Sequence, residues 1–380
     1  MGLKKTVTGA LTVIAAFFVV PAVIFAGEKD SEGLDRLAAA SAGLMGGRQP
    51  AFQSASVSTV LPPGSEISAV SYWDIALALE EKEPESTTSE VPSPLPAEDV
   101  EWALPYPEGL TDRDGVIEKY TYGHYDDERF FDLESGGQVR NCTDYSNEEI
   151  YELSRKGLPF DTEISSEEPL VLIYHTHATE SFELEDRSWY DKDFSSKTTM
   201  REKNIISVGD RICEMLDRGG IPYIHDTLVH DYPDYNNAYR SSRAAVEEIL
   251  REYPSIKICL DVHRDGIERE DGTRIAPVAD IGGREAAQIM LISCADDGSG
   301  NIPYFRENFA FACTFQQKLE TMWPGLTRPV LFDCRYYNQD LSTGSLLIEV
   351  GSHGNSLDQA QYSGELIGRT LVSLFGKETD

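Results

Sequence analysis

The chain has 380 residues, enough for more than one domain, and 41% of them are hydrophobic, enough for a substantial core. Its 65 acidic side chains outnumber 33 basic ones, for a formal charge of -32. Such a balance excludes nucleic acid as the main electrostatic partner, and any grip on an anionic polymer has to come from local groups in a groove.

Lys4 and Lys5 precede an uncharged run over residues 7–26 whose only polar side chains are Thr8 and Thr12. At about 1.5 Å per residue such a run just crosses a bilayer core of roughly 30 Å. With lysines before it and Glu28, Asp30 and Glu32 after it, the amino terminus is expected inside and the rest of the chain outside. Residues 1–27 therefore predict a single-pass membrane anchor. A cleaved signal peptide is the alternative, and Ile24 makes a poor cleavage context before Gly27.

Residues 28–110 are rich in Ala, Ser, Pro, Gly and Glu, with Pro62, Pro63, Pro84, Pro92, Pro94 and Pro96 interrupting any long element. They predict a low-complexity acidic tether, with one helix within 65–82 where Val70, Ile75, Leu77 and Leu79 recur at helical spacing. Over residues 111–165 aromatics gather around a Gly136-Gly137 turn, and Ser146 followed by Glu149 predicts a capped helix over 147–155. A small subdomain packing on the catalytic part is expected there, its aromatics spent on burial.

From 166 to 380 strands and helices alternate. Strands are predicted at Val171–Tyr174, 222–225, 256–262, 287–294 and 345–350, and helices at 204–218, 237–252, 306–322 and Leu357–Phe375. The alternation implies βαβ units, hence an α/β fold with a mainly parallel twisted sheet flanked by helices. Six cysteines, Cys142, Cys213, Cys259, Cys294, Cys313 and Cys334, show no CxxC pair and read as buried apolar residues. No P-loop, GxSxG elbow or GxGxxG is present.

Three apolar runs lead into ionisable groups. Val171–Tyr174 is followed by His175, Thr176, His177 and then Glu180; 256–262 by His263, Arg264 and Asp265; and 345–348 by Glu349. In open α/β sheets the binding crevice lies at the carboxyl ends of strands, so these groups can meet on one edge. A zinc hydrolase needs three protein ligands and a free carboxylate to move a proton, and His177, Glu180 and His263 can supply the first set, Glu349 the second. His175, two residues from His177, reads as a partner orienting a ligand or as a donor to the transition state. The bland readings are a loop cap for His177 and a buried ion pair of Glu349 with Arg264 or Arg335. His225, His230 and Asp231 cluster in a loop as substrate contacts or ordinary polar groups, and His353 reads as a turn residue.

Several stretches in order carry a family resemblance over about residues 131–375: IYHTHATES at 173–181, HDTLVHDYPDYNNAY at 225–239, DVHRD at 261–265, AQIM at 287–290, PGL with Arg328-Pro329, and YNQDL at 337–341 leading to LIEVG at 347–351. Together they resemble the stage II sporulation protein P family of endospore formers. The resemblance implies an amidase-like fold related to zinc-dependent N-acetylmuramoyl-L-alanine amidases, and a Zn2+ cofactor. It implies a peptidoglycan hydrolase that removes stem peptides from glycan strands and cuts peptide cross-links during forespore engulfment. The implied partners are a lytic transglycosylase, sporulation protein D, and a membrane protein, sporulation protein M; the implied location is the space between mother cell and forespore. Carried onto this chain, His177 and His263 are metal ligands and Glu349 the catalytic carboxylate, with His175 or Arg264 as an added donor. The third ligand is Glu180 or, as in the related amidases whose ligand glutamate opens the first helix, Glu202. A catalytically inactive wall-binding scaffold is the alternative of a different class, and a glycan esterase or deacetylase a third.

Overall fold

The computed structural model describes residues 93–161 and 168–375. The expected membrane segment and the expected helix within 65–82 lie outside the described residues. Among those described, no helix is long and apolar enough to cross a membrane.

In chain order the strands are β1 (Gly115–Tyr120), β2 (Phe130–Asp132), β3 (Gln138–Asn141), β4 (Val171–Tyr174), β5 (Trp189–Tyr190) and β6 (Tyr223–His225). They continue as β7 (Ile258–Asp265), β8 (Arg274–Ile281), β9 (Arg284–Ala287), β10 (Ile289–Cys294), β11 (Val330–Asp333) and β12 (Ser345–Ser352). The helices are α1 (Ala97–Val100), α2 (Asn147–Ser154), α3 (Ile206–Gly219), α4 (Ala238–Glu252), α5 (Phe305–Met322) and α6 (Leu357–Phe375). Eight strands form one sheet in the order β2-β3-β11-β10-β12-β7-β4-β6. All of its pairings are parallel except β2 with β3 and β10 with β12, so most pairings are parallel as expected but the sheet is mixed, β3, β11 and β10 running opposite to β12, β7, β4 and β6. A second sheet, β5-β1-β8-β9, is smaller and was not foreseen from the sequence.

The core explains the layering. Val171 and Ile173 of β4 pack with Val208 and Ile212 of α3 and Ile367 of α6, whereas Leu172 and Tyr174 pack with Val246 of α4. Alternate side chains of a strand point to opposite faces, so β4 is covered on both sides, as its unbroken apolar run requires. Each such fully buried Ile or Leu contributes about 1.5–3 kcal/mol relative to exposure. Helix α3 buries Ile206, Val208, Ile212, Met215 and Leu216 along one stripe and ends at Gly220, whose left-handed backbone lets its N–H bond Leu216 and Asp217 carbonyls. The Ser146 and Glu149 capping box opens α2 as the sequence predicts. Cys213, Cys259, Cys294 and Cys313 are buried, Cys334 is exposed, and no disulfide forms among the described residues.

Two strands are longer than their apolar runs. β7 continues through His263, Arg264 and Asp265, and β12 through Glu349 to Ser352. These ionisable residues lie within the strands, held by pairing of the two chains, and do not follow the strand ends as expected.

Candidate active site

Strands β4, β7 and β12 are adjacent and parallel, so their carboxyl ends lie on one edge of the large sheet. In the β7–β12 register Glu349 is the Cα partner of His263, and in the β4–β7 register Tyr174 is the partner of Asp261. Paired residues of neighbouring strands share a face, which sets His263 and Glu349 side by side. Beyond β4 the chain turns through 175–182, all of it buried. That turn carries Glu180 back to β7, where Glu180 Oε2 accepts the Arg264 backbone N–H at 3.0 Å and stands 3.7 Å from His263 Nδ1. The His177 and His263 ring centroids are 5.4 Å apart.

His177, Glu180, His263 and Glu349 thus form one buried group, each at most 1% exposed. His263 Nε2 lies 2.8 Å from Asp261 Oδ1. Asp261 also accepts from the Thr176 backbone N–H at 2.8 Å and the Thr176 hydroxyl at 2.6 Å, tying the turn after β4 to β7. Asp231 Oδ2 stands 3.8 Å from His177 Nδ1 and accepts the Thr179 hydroxyl at 2.6 Å. Tyr235 stacks on the His177 ring at 4.5 Å, and Lys197 Nζ lies 3.5 Å over the same Tyr235 ring.

Burial pushes His177 down to about 4, with Asp231 opposing it, so its ring is neutral at pH 7. Burial would lower His263 too, but Asp261, Glu180 and Glu349 outweigh it and raise the ring to about 9. Burial, then the Asp265 and Glu180 charges, holds Glu349 well above the usual carboxylate range, against His263 and Arg328. Burial likewise raises Glu180, with Arg264 and His263 opposing. A carboxyl shifted in this way is the kind of group that exchanges a proton near neutral pH.

Two imidazoles and a carboxylate are the donor types zinc takes. Glu180 Oε1 and Glu349 Oε2 are buried and make no hydrogen bond among the described residues, an expense that a ligand at the cluster would remove. No group of three or more His, Cys, Asp or Glu among the described residues is disposed to hold a metal ion as it stands, and His263 Nε2 lies against Asp261. The donor chemistry fits zinc; the side-chain spacing is looser than a closed coordination shell.

The remaining expected residues fall elsewhere. Glu202 is exposed in a single 3-10 turn, Arg201–Lys203. His175 lies 2.9 Å from the Val262 carbonyl through Nδ1 and 3.0 Å from His225 Nε2 through Nε2. Both of its ring nitrogens are thus engaged by protein groups. Its neighbour Gly209 is a close approach, since a Cβ there would come within 2.6 Å of both Nε2 atoms. Arg264 gives its guanidinium to the carbonyls of Ser181 at 3.0 Å, Ser196 at 2.9 Å and Asp265 at 3.3 Å, so it braces the loop around the cluster. Arg335 pairs with Asp333 at 2.8 Å; the arginine that acts on Glu349 is Arg328, which binds Asp265 at 2.8 Å. His230 bonds Asp226 and Ser241, both at 3.1 Å. Asp261 was missed although period-two alternation in DVHRD puts Asp261, His263 and Asp265 on one face; Lys197, Tyr235 and Arg328 carried no local signal.

Fold and cluster together define an α/β protein with histidines and carboxylates gathered at the carboxyl edge of a mostly parallel sheet. The chain belongs to the Stage II sporulation protein P (SpoIIP) family, whose model matches residues 106–372. It is 29% identical over 208 residues to Stage II sporulation protein P of Bacillus subtilis (strain 168), across 52% of this chain and 49% of that protein. The chain thus matches about half the length of that curated relative. Among solved structures, the N-acetylmuramoyl-L-alanine amidase AmiC2 of Nostoc punctiforme is similar at 13% identity and a TM-score of 0.34, over 55% of this chain and 98% of that one. The CwlD amidase of Clostridioides difficile, in complex with the GerS lipoprotein, gives 13% and 0.34 over 53% and 94%. Likeness this slight carries no activity across.

Proposed function

We propose that the chain is a zinc-dependent peptidoglycan hydrolase acting in sporulation, which cleaves the amide between N-acetylmuramic acid and L-alanine and also cuts peptide cross-links. The observation that carries this reading is the register of β7 with β12, which sets Glu349 beside His263, with Glu180 brought against the same histidine by the turn after β4. Membership of the sporulation family supports it.

In this reading His177, Glu180 and His263 hold the metal. A zinc ion held there supplies Lewis acidity, polarising a carbonyl and making water acidic. Glu349 takes a proton from the attacking water as oxygen bonds to the amide carbon, and returns it to the nitrogen as the carbon–nitrogen bond breaks. Asp261 and Asp231 orient the two imidazoles, as carboxylates behind metal-binding histidines do. Residues 1–27 anchor the chain, the stretch from 28 up to α1 tethers it, α1 itself packing on the domain through Ala97 and Val100, and the domain from 166 on works outside the membrane, between mother cell and forespore. The protein partners in this reading are sporulation proteins D and M.

The test is Glu349→Gln, which keeps the shape and removes the proton carrier. Loss of more than about 99% of stem-peptide release, with zinc binding retained, is expected. Hydrolysis at the normal rate by this variant overturns the assignment.

A further inference from the structure

Strand β6 pairs with β4 in a register that sets His225 opposite Ile173. Partners on neighbouring strands share a face, and so do residues two apart, which puts the His225 ring on the side of Ile173 and His175, the side that α3 covers. The two rings meet there, Nε2 to Nε2 at 3.0 Å, with their centroids 5.2 Å apart. Their contact needs room in the helix, since a Cβ on Gly209 would stand 2.6 Å from each of these two nitrogens. Glycine is a poor helix residue, so its place in α3 has a reason in this approach. The next residue, Asp210, turns its carboxylate to the outer ring, 3.4 Å from His225 Nδ1, and Arg201 binds the same carboxylate at 2.5 Å. Helix α3 thus supplies both the gap and the anchor.

The order of donors and acceptors in this chain follows from its two ends. The Val262 carbonyl only accepts, so His175 Nδ1, 2.9 Å from it, carries the hydrogen. His175 is 0% exposed and neither partner of its ring is a carboxylate, so the ring is neutral and its Nε2 is an acceptor. The hydrogen between the two rings therefore belongs to His225. Burial opposes the ionisation of Asp210, but His225 and Arg201 hold its carboxyl down to about 2. The last β4–β7 pair is Tyr174 with Asp261, and His175 ties the two strands one step past it.

We infer that His225, anchored by Asp210, is a positioning residue of the candidate site: by donating Nε2–H to His175 it fixes the tautomer in which His175 ties the departing β4 to Val262 of β7. His175 stands two residues before His177 and Val262 one before His263, so this tie sets the separation of the two imidazoles proposed to bind metal. Without the donor, a buried acceptor at His175 Nε2 is left without a partner, and the other tautomer turns the Nδ1 lone pair against the Val262 oxygen. Either way the tie weakens. The inference rests on the hydrolase reading and deepens it.

The experiment is 15N NMR of the full chain labelled at its seven histidines, assigned by replacing each in turn, beside a titration with zinc alone. In the wild type His175 is expected to carry its proton at Nδ1 and none at Nε2. His225→Gln, whose amide N–H can serve the same acceptor, is expected to keep that tautomer and to hold zinc within about twofold of wild type; His225→Leu is expected to mix the tautomers and bind zinc about tenfold more weakly. A ring that merely fills space predicts that the Gln and Leu variants behave alike. That outcome, or a wild-type His175 protonated at Nε2, overturns the inference. The wild-type spectrum needs no substitution, so the test holds even where His225→Leu fails to fold. If tautomer and zinc affinity follow the variants while wall material stays intact, the positioning role stands and the hydrolase reading falls; wall hydrolysis with His175 protonated at Nε2 overturns the positioning role alone.

Discussion

The two sheets place most of their charged residues in different settings. Every residue of β4, β7 and β12 in the large sheet is buried, including Asp261, His263, Arg264, Asp265 and Glu349. In the small sheet β1 alternates between buried and exposed positions, and its charges pair in solvent: Lys119 with Asp186 at 2.7 Å and Glu285 at 2.6 Å, Glu118 with Arg269 at 2.5 Å. Exposed pairs of that kind contribute roughly 0–1 kcal/mol, whereas breaking a buried pair costs about 3–5 kcal/mol. A fold that holds five ionisable residues inside two strands pays for them in stability, and a binding or catalytic cluster is the economical explanation. The small sheet holds one such residue, Arg274 of β8, 8% exposed.

The largest expected effect follows from breaking the buried side of that contrast. His263→Ala removes a proposed metal donor and leaves Asp261, 1% exposed, without its 2.8 Å partner. Peptide release is expected to fall to about a thousandth or less, and urea denaturation to show a loss of about 3 kcal/mol. Next comes Asp231→Asn, which keeps a bond to Thr179 but weakens the hold on His177; zinc titration is expected to show about 10–100-fold weaker binding with the fold intact. The smallest effect belongs to the small sheet. A Cβ on Gly115 would run into the Tyr190 ring, so Gly115→Ala is expected to cost about 1–3 kcal/mol in a thermal melt while zinc content stays unchanged. Loss of zinc in that variant would show that the two sheets are not separable in this way.

The same contrast decides what could be read from the sequence. Strands buried on both faces appear as unbroken apolar runs, which is why β4, the start of β7 and most of β12 were legible, along with every long helix whose apolar stripe is regular. The extension of β7 and β12 through charged residues was not, because pairing of His263 with Glu349 and of Asp265 with Ser352 extends them and hydropathy does not report pairing. β1, β5, β8 and β9 were missed for the opposite reason. They are short or carry Pro277, Arg274, Glu118 and Lys119, and strands of that composition lack the unbroken apolar run that marks a buried strand. Of the residues expected to act, His177, Glu180, His263 and Glu349 are brought into one group. His175 and Arg264 illustrate the limit: their partners are backbone carbonyls of Val262, Ser181, Ser196 and Asp265, and a carbonyl is invisible to any reading of side-chain types.

The most direct test of the account is digestion of purified peptidoglycan by the full chain, with and without a chelator, followed by mass analysis of the products. The account predicts chelator-sensitive release of intact stem peptides, leaving a free lactyl carboxyl on the glycan, and restoration by added zinc. No release, even with zinc restored and the glycan strands opened by a transglycosylase, would contradict it and favour a protein that holds the wall without cutting it.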